Sequence, residues 1–388
     1  MSDTAVSPPS YQCGGCGARV EFAPGTTALS CPYCGHRQEI AGASREVREH
    51  AYADLASLPR KPVASVGAHT FVCPGCGART ESDALAQRCQ FCATPLVSDA
   101  AAGELIAPEA VLPFAVDRNG VRTALGQWCR SRWFAPGSLK KISEAETLKG
   151  TYLPHWTFDA RTVSDYRGQR GEYYYVTETY TVTVDGKQET RTRQVRHTRW
   201  HPAAGTVRRD FDDVLVPATT HLPTEQLDKL APWPLAEAAA YHGDYLAGYQ
   251  ALRYDTEPEA GLTEAKARMA PVIEKDCRSD IGGDEQRVSA VDTTYSDVSY
   301  KLILLPVWIA AYLHAGRSYQ VLVNARTGEV IGERPYSTAK IAAAVFAALV
   351  LVAVVVALMM NRSRRRAVVR PRATGIRYRW PVRVAPGD

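Results

Sequence analysis

The chain has 388 residues, with 46 Lys and Arg side chains against 41 Asp and Glu, and a formal net charge of +5. Residues 361–388 hold nine of the arginines and one acid, Asp388, so this tail carries +8. Residues 1–360 keep 37 basic and 40 acidic side chains, a net charge of −3. The basic excess therefore belongs to the tail and does not indicate a nucleic-acid-binding body. An apolar fraction of 45% excludes a wholly disordered chain.

The N-terminus and the cysteines indicate a reducing compartment. Residues 1–10 contain neither a basic n-region nor an apolar h-region, so no secretory signal peptide is expected. Ten cysteines are too few for a disulfide scaffold of this length, and eight of them fall in CxxC pairs. We therefore expect the N-terminal part of the chain to lie in the cytoplasm and to bind metal.

The four CxxC pairs are spaced as two zinc ribbons. The second and third cysteines of each set of four are separated by 14 residues in the first set and by 12 in the second. Glycine follows three of the four pairs and permits the tight turn that brings both sulfurs to one ion. Four thiolates close a tetrahedral Zn²⁺ site and leave no position for a reactive water. The predicted ligands of two structural Zn²⁺ ions are Cys13, Cys16, Cys31, Cys34, Cys73, Cys76, Cys89 and Cys92.

Two other uses of such cysteines remain open at this point. An iron centre has the same four-thiolate geometry, whereas a redox dithiol of the thioredoxin type needs a βαβ context that the sequence lacks. The nearby His36, His50 and His69 are expected to be exposed polar residues rather than ligands, because eight thiolates already complete both sites.

The rest of the chain predicts an α+β protein with six segments. These are zinc ribbon 1 (1–42), a helical linker (43–66), zinc ribbon 2 (67–108), an α+β body (109–338), a transmembrane helix (341–360) and an Arg-rich tail (361–388). The linker is expected to form a short polar helix over Ala43–Leu58, and the ribbons to be separate beads on either side of it.

Within the body, the patterns predict both helices and a long hairpin. Alternation over Tyr173–Val184 and Gln188–Trp200, joined by Asp185-Gly186, is typical of a β-hairpin. Helices are expected over Val121–Phe134, over Pro234–Tyr245 and over Thr263–Ala270, the last ending before Pro271. The sequence Leu-Pro-x-Trp occurs at 153–156 and again at 305–308, each time before a predicted strand and hairpin, which indicates two related halves.

The known catalytic motifs are absent from the sequence. There is no P-loop, no GxGxxG, no GxSxG elbow and no HExxH pair. Cys129 is expected on the buried face of a helix, and Cys277 has no motif around it. His197 and His201 lie on a predicted strand, too far apart to share an ion. We therefore expect a protein that is not an enzyme, and no small-molecule substrate is identified.

Ile341–Met360 is the candidate membrane span. Twenty residues without a charge or a polar side chain reach about 30 Å as a helix, the thickness of the hydrocarbon core. The positive-inside rule, taken alone, places the Arg-rich tail in the cytoplasm and the body outside. The absence of a signal and the eight thiolates favour the opposite orientation. We predict a single-pass cell-membrane protein with a cytoplasmic N-terminal body.

The order of several motifs resembles a known bacterial family. After the two ribbons come Leu112-Pro-Phe114, Trp133-Phe134-Ala-Pro136, Tyr152–Ala160 (YLPxWTFDA), Gly168–Tyr174 (GxxGxYY), Asp212–Ala218, Tyr245–Tyr254 and Thr327–Ser337. This order is similar to that of double zinc-ribbon proteins anchored in the membrane at the C-terminus. His155 departs from the aromatic residue expected there, and the Arg-rich tail departs from the family pattern.

The resemblance implies partners rather than a reaction. Members carry names such as primosomal protein N′/superfamily II helicase-like or TFIIB-type zinc ribbon, which rest on the ribbons alone. This chain has no nucleotide-binding loop, so a helicase activity is unsupported. The chain is similar to proteins encoded beside phage-shock-protein-A-type and SPFH-type proteins, which implies a membrane-stress role with those partners and with the lipid bilayer.

Two functions follow as hypotheses. The first is a non-enzymatic membrane-anchored adaptor that docks or recruits partner proteins at the cytoplasmic membrane. The alternative is a membrane-tethered nucleic-acid-binding protein linked to replication or transcription. Residues 1–108 hold eight basic and ten acidic side chains, a net charge of −2, which makes nucleic acid the weaker expectation.

Overall fold

The computed structural model describes residues 12–40, 45–57, 61–62, 69–82, 88–92, 94–98, 104–131, 148–184, 187–314, 317–332 and 338–368. The described residues between 12 and 131 and between 148 and 332 belong to one compact unit. The helix over 338–368 belongs to a second unit and is described by itself.

Short strands form the N-terminal part of the first unit. Three of them, β1 (Glu21–Phe22), β2 (Ala28–Ser30) and β3 (Arg37–Glu39), make a small antiparallel sheet beside the first four cysteines. The strands that follow are β4 (His50–Ala51), β5 (Lys61–Pro62), β6 (His69–Val72), β7 (Arg79–Ser82), β8 (Val97–Ser98), β9 (Glu104–Leu105) and β10 (Ala110–Val111). We call residues 12–40 module 1 and the described residues between 69 and 98 module 2.

Three long strands dominate the body, namely β11 (Lys149–Val184), β12 (Lys187–Pro217) and β15 (Glu285–His314). The other elements are α1 (Arg118–Arg130), α2 (Thr224–Lys229), β13 (Ala239–Ala240), β14 (Gln250–Leu252), α3 (Pro258–Ile281), β16 (Arg317–Asn324) and β17 (Val330–Gly332). Single 3-10 turns occupy Tyr52–Ser57, Leu235–Glu237 and Gly243–Leu246. The predicted mixed α+β class is confirmed.

The long strands run side by side for different lengths. β11 pairs antiparallel with β15 from Lys149 opposite Ile309 to Gly171 opposite Glu285. On its other edge, β11 pairs with β12 as far as Val184 opposite Lys187, as the hairpin pattern predicts. Beyond Gly171 the two strands continue as a two-stranded ribbon. We call this ribbon, Glu172–Val184 with Lys187–Arg199, the arm.

The Leu-Pro-x-Trp repeat marks a repeated order of elements. A short strand, a helix and two antiparallel strands occur as β10-α1-β11-β12 and again as β14-α3-β15-β16. Leu153 lies directly opposite Leu305. Each short strand runs parallel to the long strand of the other half, β10 beside β15 and β14 beside β11. The two halves are therefore interlocked rather than adjacent.

Helix α3 covers the region where the arm leaves the body. Its buried residues Met269, Ile273, Cys277 and Ile281 recur every four positions and pack with Trp156 and Phe158 of β11. The expectation of a helix ending before Pro271 is wrong, because this apolar stripe continues past the proline. Burial on the sheet outweighs the one backbone hydrogen bond that proline removes. The helix expected over Pro234–Tyr245 is also wrong, since two 3-10 turns and β13 occupy that stretch.

Both modules are attached to the body, so the expectation of separate beads is wrong. In module 2, β7 pairs antiparallel with β14 and thereby joins the large sheet. In module 1, the Phe22 N–H donates to the Ala247 carbonyl at 2.9 Å. The modules are too small to build a hydrophobic core of their own. These backbone hydrogen bonds hold them against the body, which supplies apolar contacts. The residue boundaries of the predicted segments stay predictions.

The described residues between the modules form no α-helix. Of the linker helix expected over Ala43–Leu58, the described residues 45–57 show only the 3-10 turn, preceded by strand β4 on β15. The Lys301 ammonium donates to Glu49 at 2.9 Å. Strand pairing at His50–Ala51 and this ion pair stabilise the observed conformation, and a solvated helix would lack both. We call residues 45–57 the strap.

The C-terminal unit contains the apolar helix α4 (Thr338–Val368). Lys340–Met360 within it is long and apolar enough to cross a membrane, and that window is exposed throughout. The predicted span Ile341–Met360 lies inside this window. The Arg-rich tail after Val368 lies outside the described residues.

The buried His155 gives the body a defined acid sensitivity. The imidazole is 2% exposed and donates from Nδ1 to the Leu153 carbonyl at 3.1 Å, and burial lowers its pKa to about 4. In the unfolded chain the pKa is about 6.5, so the unfolded state takes up a proton first as the pH falls. The free energy of unfolding therefore falls by about 2 kcal/mol between pH 7 and pH 5 from this residue.

We expect His155→Phe to remove this component from the pH dependence of unfolding, measured by chemical denaturation of the full chain in detergent. His201→Phe, at the half-exposed His201, is the matched control, since it makes the same exchange at a histidine that the body does not bury. Parallel pH curves for His155→Phe and the parent would contradict a neutral buried imidazole.

Candidate metal centres

The first four cysteines meet at one point of module 1. Cys13 Sγ lies 3.5 Å from Cys34 Sγ, and Cys16 Sγ lies 3.6 Å from Cys31 Sγ. All four sulfurs are within 4.8 Å of one another. A tetrahedral Zn²⁺ with Zn–S bonds of about 2.3 Å places its sulfurs about 3.8 Å apart. The spacing of this group therefore fits a single ion.

The second four cysteines meet in the same way in module 2. Cys73 Sγ lies 3.4 Å from Cys92 Sγ, and Cys76 Sγ lies 3.6 Å from Cys89 Sγ, again with all four inside 4.8 Å. The structure thus brings the eight predicted cysteines together in the two predicted sets. The two groups are candidate sites for two metal ions.

Glycine turns aim the sulfurs inward. Gly17, Gly35 and Gly77 follow three of the CxxC pairs and have φ of +74°, +72° and +76°, in the left-handed region that glycine favours. Each of their N–H groups donates to the carbonyl of the first cysteine in its pair, at 2.8 to 3.0 Å. In addition, the Gly15 N–H donates to Cys13 Sγ at 3.3 Å. These turns hold the thiol geometry from the backbone alone.

Thiols of the two groups have pKa values that shift in opposite directions. The N–H of Cys34 donates to Cys31 and lowers the pKa of that thiol to about 6. Burial raises the pKa of Cys76 to about 11. Metal binding requires all four sulfurs as thiolates, and a divalent ion supplies the positive charge that offsets burial and mutual repulsion. Because four protein ligands complete a tetrahedron, such a site has no free position for substrate or water.

The second metal group belongs to the core of the body. Cys73 and Cys89 pack in one buried cluster with Leu153, Leu252 and Val307. Between the cysteines, the Phe91 carbonyl accepts a hydrogen bond from Gln320 Nε2 at 2.7 Å, and its ring stacks on His221 with 5.7 Å between centroids. Loss of order at this metal group would therefore expose part of the core.

The first metal group lies farther from the core and is attached through Phe22. That ring lies 5.4 Å from Tyr245 and 6.5 Å from Tyr249, centroid to centroid. The Gly25 N–H donates to the Phe114 carbonyl at 2.8 Å. Phe114 in turn stacks on Tyr249, with 4.1 Å between ring centroids. One aromatic cluster of the body therefore packs against module 1.

The segment Tyr245–Arg253 joins both modules, which the sequence reasoning missed. We call it the bridging segment. Its first half receives module 1 at Ala247, and its second half pairs with β7 of module 2, where the Arg253 N–H donates to Arg79 at 3.1 Å. Gly248, with φ of +82°, leaves room for Glu21, since an added Cβ would lie 2.8 Å from it. Gly248 lies within the Tyr245–Tyr254 motif, and this glycine was the feature of the sequence that could have indicated a close contact here.

A third group of possible ligands already contains its own cation. The carboxylates of Glu49, Asp159, Asp212 and Asp213 lie within 4.8 Å of one another, and Lys301 donates to both Glu49 and Asp213. Burial and the hydrogen bond to Glu49 raise the pKa of Asp159 to about 6, and that same bond lowers the pKa of Glu49 to about 2. The group fastens the strap to the body, and we assign no ion to it.

Among the described residues, the remaining candidates add no ligand to the two metal groups, although His36 lies beside the Gly14-Gly15 turn of the first group. His36 is exposed, and His50 is half-buried with its Nε2 3.5 Å from Glu109; the side chain of His69 lies outside the described residues. Cys129 is buried on α1 as expected, and Cys277 is buried under α3. His197 and His201 both lie on a strand, β12, as predicted. The His197 ring stacks on Tyr174, and His201 lies close to Glu172.

Comparison with known proteins adds one relative. No family model and no solved structure match the chain. It is similar to the uncharacterized protein YdjG of Bacillus subtilis, with 26% identity over 335 residues, which cover 86% of this chain and 92% of the relative. The similarity therefore extends well beyond the cysteine groups into the body.

Metal content and stability should respond differently to the two modules. We expect the purified chain to hold two Zn²⁺ ions, and Cys13→Ser and Cys73→Ser to hold one each, by elemental analysis. Cys73→Ser should also lower the unfolding midpoint of the body by more than Cys13→Ser does, because two cysteines of module 2 lie in a core cluster of the body, whereas module 1 joins the body through Phe22. Structural zinc contributes about 10–16 kcal/mol in peptides, comparable to the whole stability of a domain.

The control for metal content is Cys277→Ser, since Cys277 is buried but belongs to neither group. It should keep two ions per chain. Two ions in Cys73→Ser, or a lost ion in Cys277→Ser, would contradict the assignment of ligands.

Proposed function

We propose that this chain is a non-enzymatic zinc-ribbon adaptor, anchored by its C-terminal helix, that docks or recruits partner proteins at the cytoplasmic membrane. The observation that carries the proposal is the combination, in one chain, of two closed four-thiolate groups with one helix able to span a bilayer. Closed groups of this kind brace a fold and leave catalysis to other residues.

Zinc is the ion that the donor set favours. Four thiolates at tetrahedral spacing suit Zn²⁺ or iron, and the paired short strands around each group suit a zinc ribbon. Cys13, Cys16, Cys31 and Cys34 would hold one ion, and Cys73, Cys76, Cys89 and Cys92 the other. The ion would supply folding energy to modules that lack a core.

Anchoring by α4 with the body in the cytoplasm is consistent with this chemistry. Free thiolates persist in a reducing compartment, whereas an oxidising exterior would convert them to disulfides. The partners we propose are of the phage-shock-protein-A and SPFH types, in a membrane-stress response. The family resemblance of the motif order supports these partners.

A nucleic-acid-binding role is less well supported by the charges of the described residues. The arm carries four arginines, all on β12, and each of them contacts another side chain of the arm, two through ion pairs and two through tyrosine rings. Arg193 pairs with Glu178 at 2.9 Å, and Arg191 pairs with Glu189 at 3.1 Å. Paired arginines release few counterions on binding a phosphate backbone, so they contribute little affinity.

The orientation is tested by protease treatment of intact spheroplasts that produce the chain with a tag at each end. We expect the N-terminal tag to be protected and the C-terminal tag to be digested, because the body stays with the cytoplasmic thiol pool. Digestion of the N-terminal tag in intact cells would overturn the cytoplasmic placement. A soluble cytoplasmic marker controls for lysis.

The adaptor role is tested by affinity capture of the full chain in mild detergent, followed by mass spectrometry. We expect at least tenfold enrichment of a phage-shock-protein-A-type or SPFH-type protein over a control bait that joins residues 335–388 to an unrelated soluble domain. Equal capture by the control bait, or no membrane-associated partner, would count against the adaptor. DNA binding by the full chain with a steep salt dependence would favour the alternative.

A further inference from the structure

The arm has two edges of opposite character. Along β12, residues 188–196 carry four charged side chains, Glu189, Arg191, Arg193 and Arg196. Along β11, the facing residues 175–183 carry one, Glu178, among tyrosines, valines and threonines, with neither Pro nor Gly. Natural proteins protect exposed strand edges with charges, bulges or proline. The β12 edge is protected in this way, and the β11 edge is not.

The β11 edge also presents unpaired backbone groups. Just before this stretch, the Tyr173 N–H donates to Asp284 at 2.7 Å, and the Gly171 carbonyl accepts from the Asp284 N–H at 2.9 Å. Both groups therefore point away from β12. The register to β12 is continuous from Ala160 to Val184, so every second residue points the same way. In the described part of the chain, no strand pairs with these groups at Tyr175, Thr177, Thr179, Thr181 and Thr183.

We propose that this edge pairs antiparallel with the same edge of a second copy of the chain, joining the two arms into a four-stranded sheet. The open stretch 175–183 uses all its outward groups when it pairs about its midpoint, which puts Thr179 opposite Thr179 of the second copy. Five opposed pairs then exchange about ten hydrogen bonds, similar to a typical protein interface.

The side chains fit this register. On one face, Val176 lies opposite Val182 of the second copy, and Glu178 lies opposite Tyr180 of the second copy. The Arg193 guanidinium stands over the Tyr180 ring at 5.6 Å, so each Glu178 lies beside an arginine of the other chain as well as its own. The other face brings together Tyr175, Thr177, Thr179, Thr181 and Thr183, all without charge. No like charges lie directly opposite each other.

A second copy is the occupant that this edge favours. Isologous pairing satisfies both open edges at once, and both copies bring the complementary Glu and Arg. A strand from a sheet of another protein would have to leave its own edge unpaired when free. Recognition of one particular foreign strand would also need a pattern of charges, and a single glutamate on this edge does not provide one. This inference goes beyond the adaptor role, because a chain that stays monomeric could still act as an adaptor.

The test uses two prolines that differ only in the edge they alter. Thr179 and Thr192 are register partners on the exposed arm, and both of their N–H groups point outward, toward opposite edges. Proline is tolerated at an edge where the N–H faces solvent, so neither substitution removes a hydrogen bond of the arm. Thr179→Pro alters the β11 edge, and Thr192→Pro alters the β12 edge.

We expect light scattering of the full chain in detergent to give a protein mass of twice 42.5 kDa for the parent and for Thr192→Pro. Thr179→Pro should give the mass of one chain at the same micromolar concentration. A single-chain mass for the parent overturns the proposal. Equal masses for the two proline variants overturn it as well. Two variants that are both dimeric would mean that another part of the chain, such as the membrane helix, holds the copies together.

Cross-linking tests the register independently. Hydrogen-bonded antiparallel partners have Cα atoms about 5.5 Å apart, within the range of about 4.4–6.8 Å for disulfides. Thr179→Cys should therefore form a disulfide-linked dimer under mild oxidation, whereas Thr192→Cys and the parent should not. Equal cross-linking at both positions, or cross-linking of Thr179→Cys to a different protein with no self-linked dimer, overturns the pairing of two copies.

Discussion

The pairing of β11 with β15 puts Leu153 directly opposite Leu305, both without exposed surface, at the centre of the sheet. The other elements attach to this pair. β14 runs beside β11 and carries module 2, and β10 runs beside β15. Because each half supplies a short strand to the long strand of the other, neither half can complete its sheet alone. β11 is longer than its partner β15, and the arm begins at the point where β15 no longer pairs with β11.

The cysteine modules combine two sources of stability. Thiolate–metal bonds would order their turns locally, and the body supplies the apolar contacts that a module of about 30 residues lacks. The balance differs between them. Module 2 places Cys73 and Cys89 inside a shared core, whereas module 1 attaches through Phe22 and two backbone hydrogen bonds. A metal group can therefore be structural in two senses, as the centre of its own small fold and as part of the wall of a larger one.

The metal groups, the apolar helix and the arm hairpin could be predicted from sequence because each depends on local spacing. Cysteines two residues apart, twenty apolar residues and alternating Tyr and Thr carry their structural meaning without distant partners. The strap and the end of α3 could not, because both depend on tertiary contacts. Lys301 fastens the strap to the body from 252 residues away along the chain. Pro271 stays helical because β11 and β12 lie beneath it, and the apolar stripe of α3 stabilises the helix only once that sheet is in place.

The contact between Phe22 and Ala247 also has a temporal side. About 225 residues separate them, which a ribosome adds in roughly 10 to 45 s at about 5–20 residues per second. During that interval module 1 is already made while its docking surface does not yet exist. The glycine turns shape its thiol groups from the backbone, and a bound ion would keep those thiols out of reach of other chemistry. Ion delivery to the nascent chain, rather than to the finished protein, would then decide how much of it folds correctly.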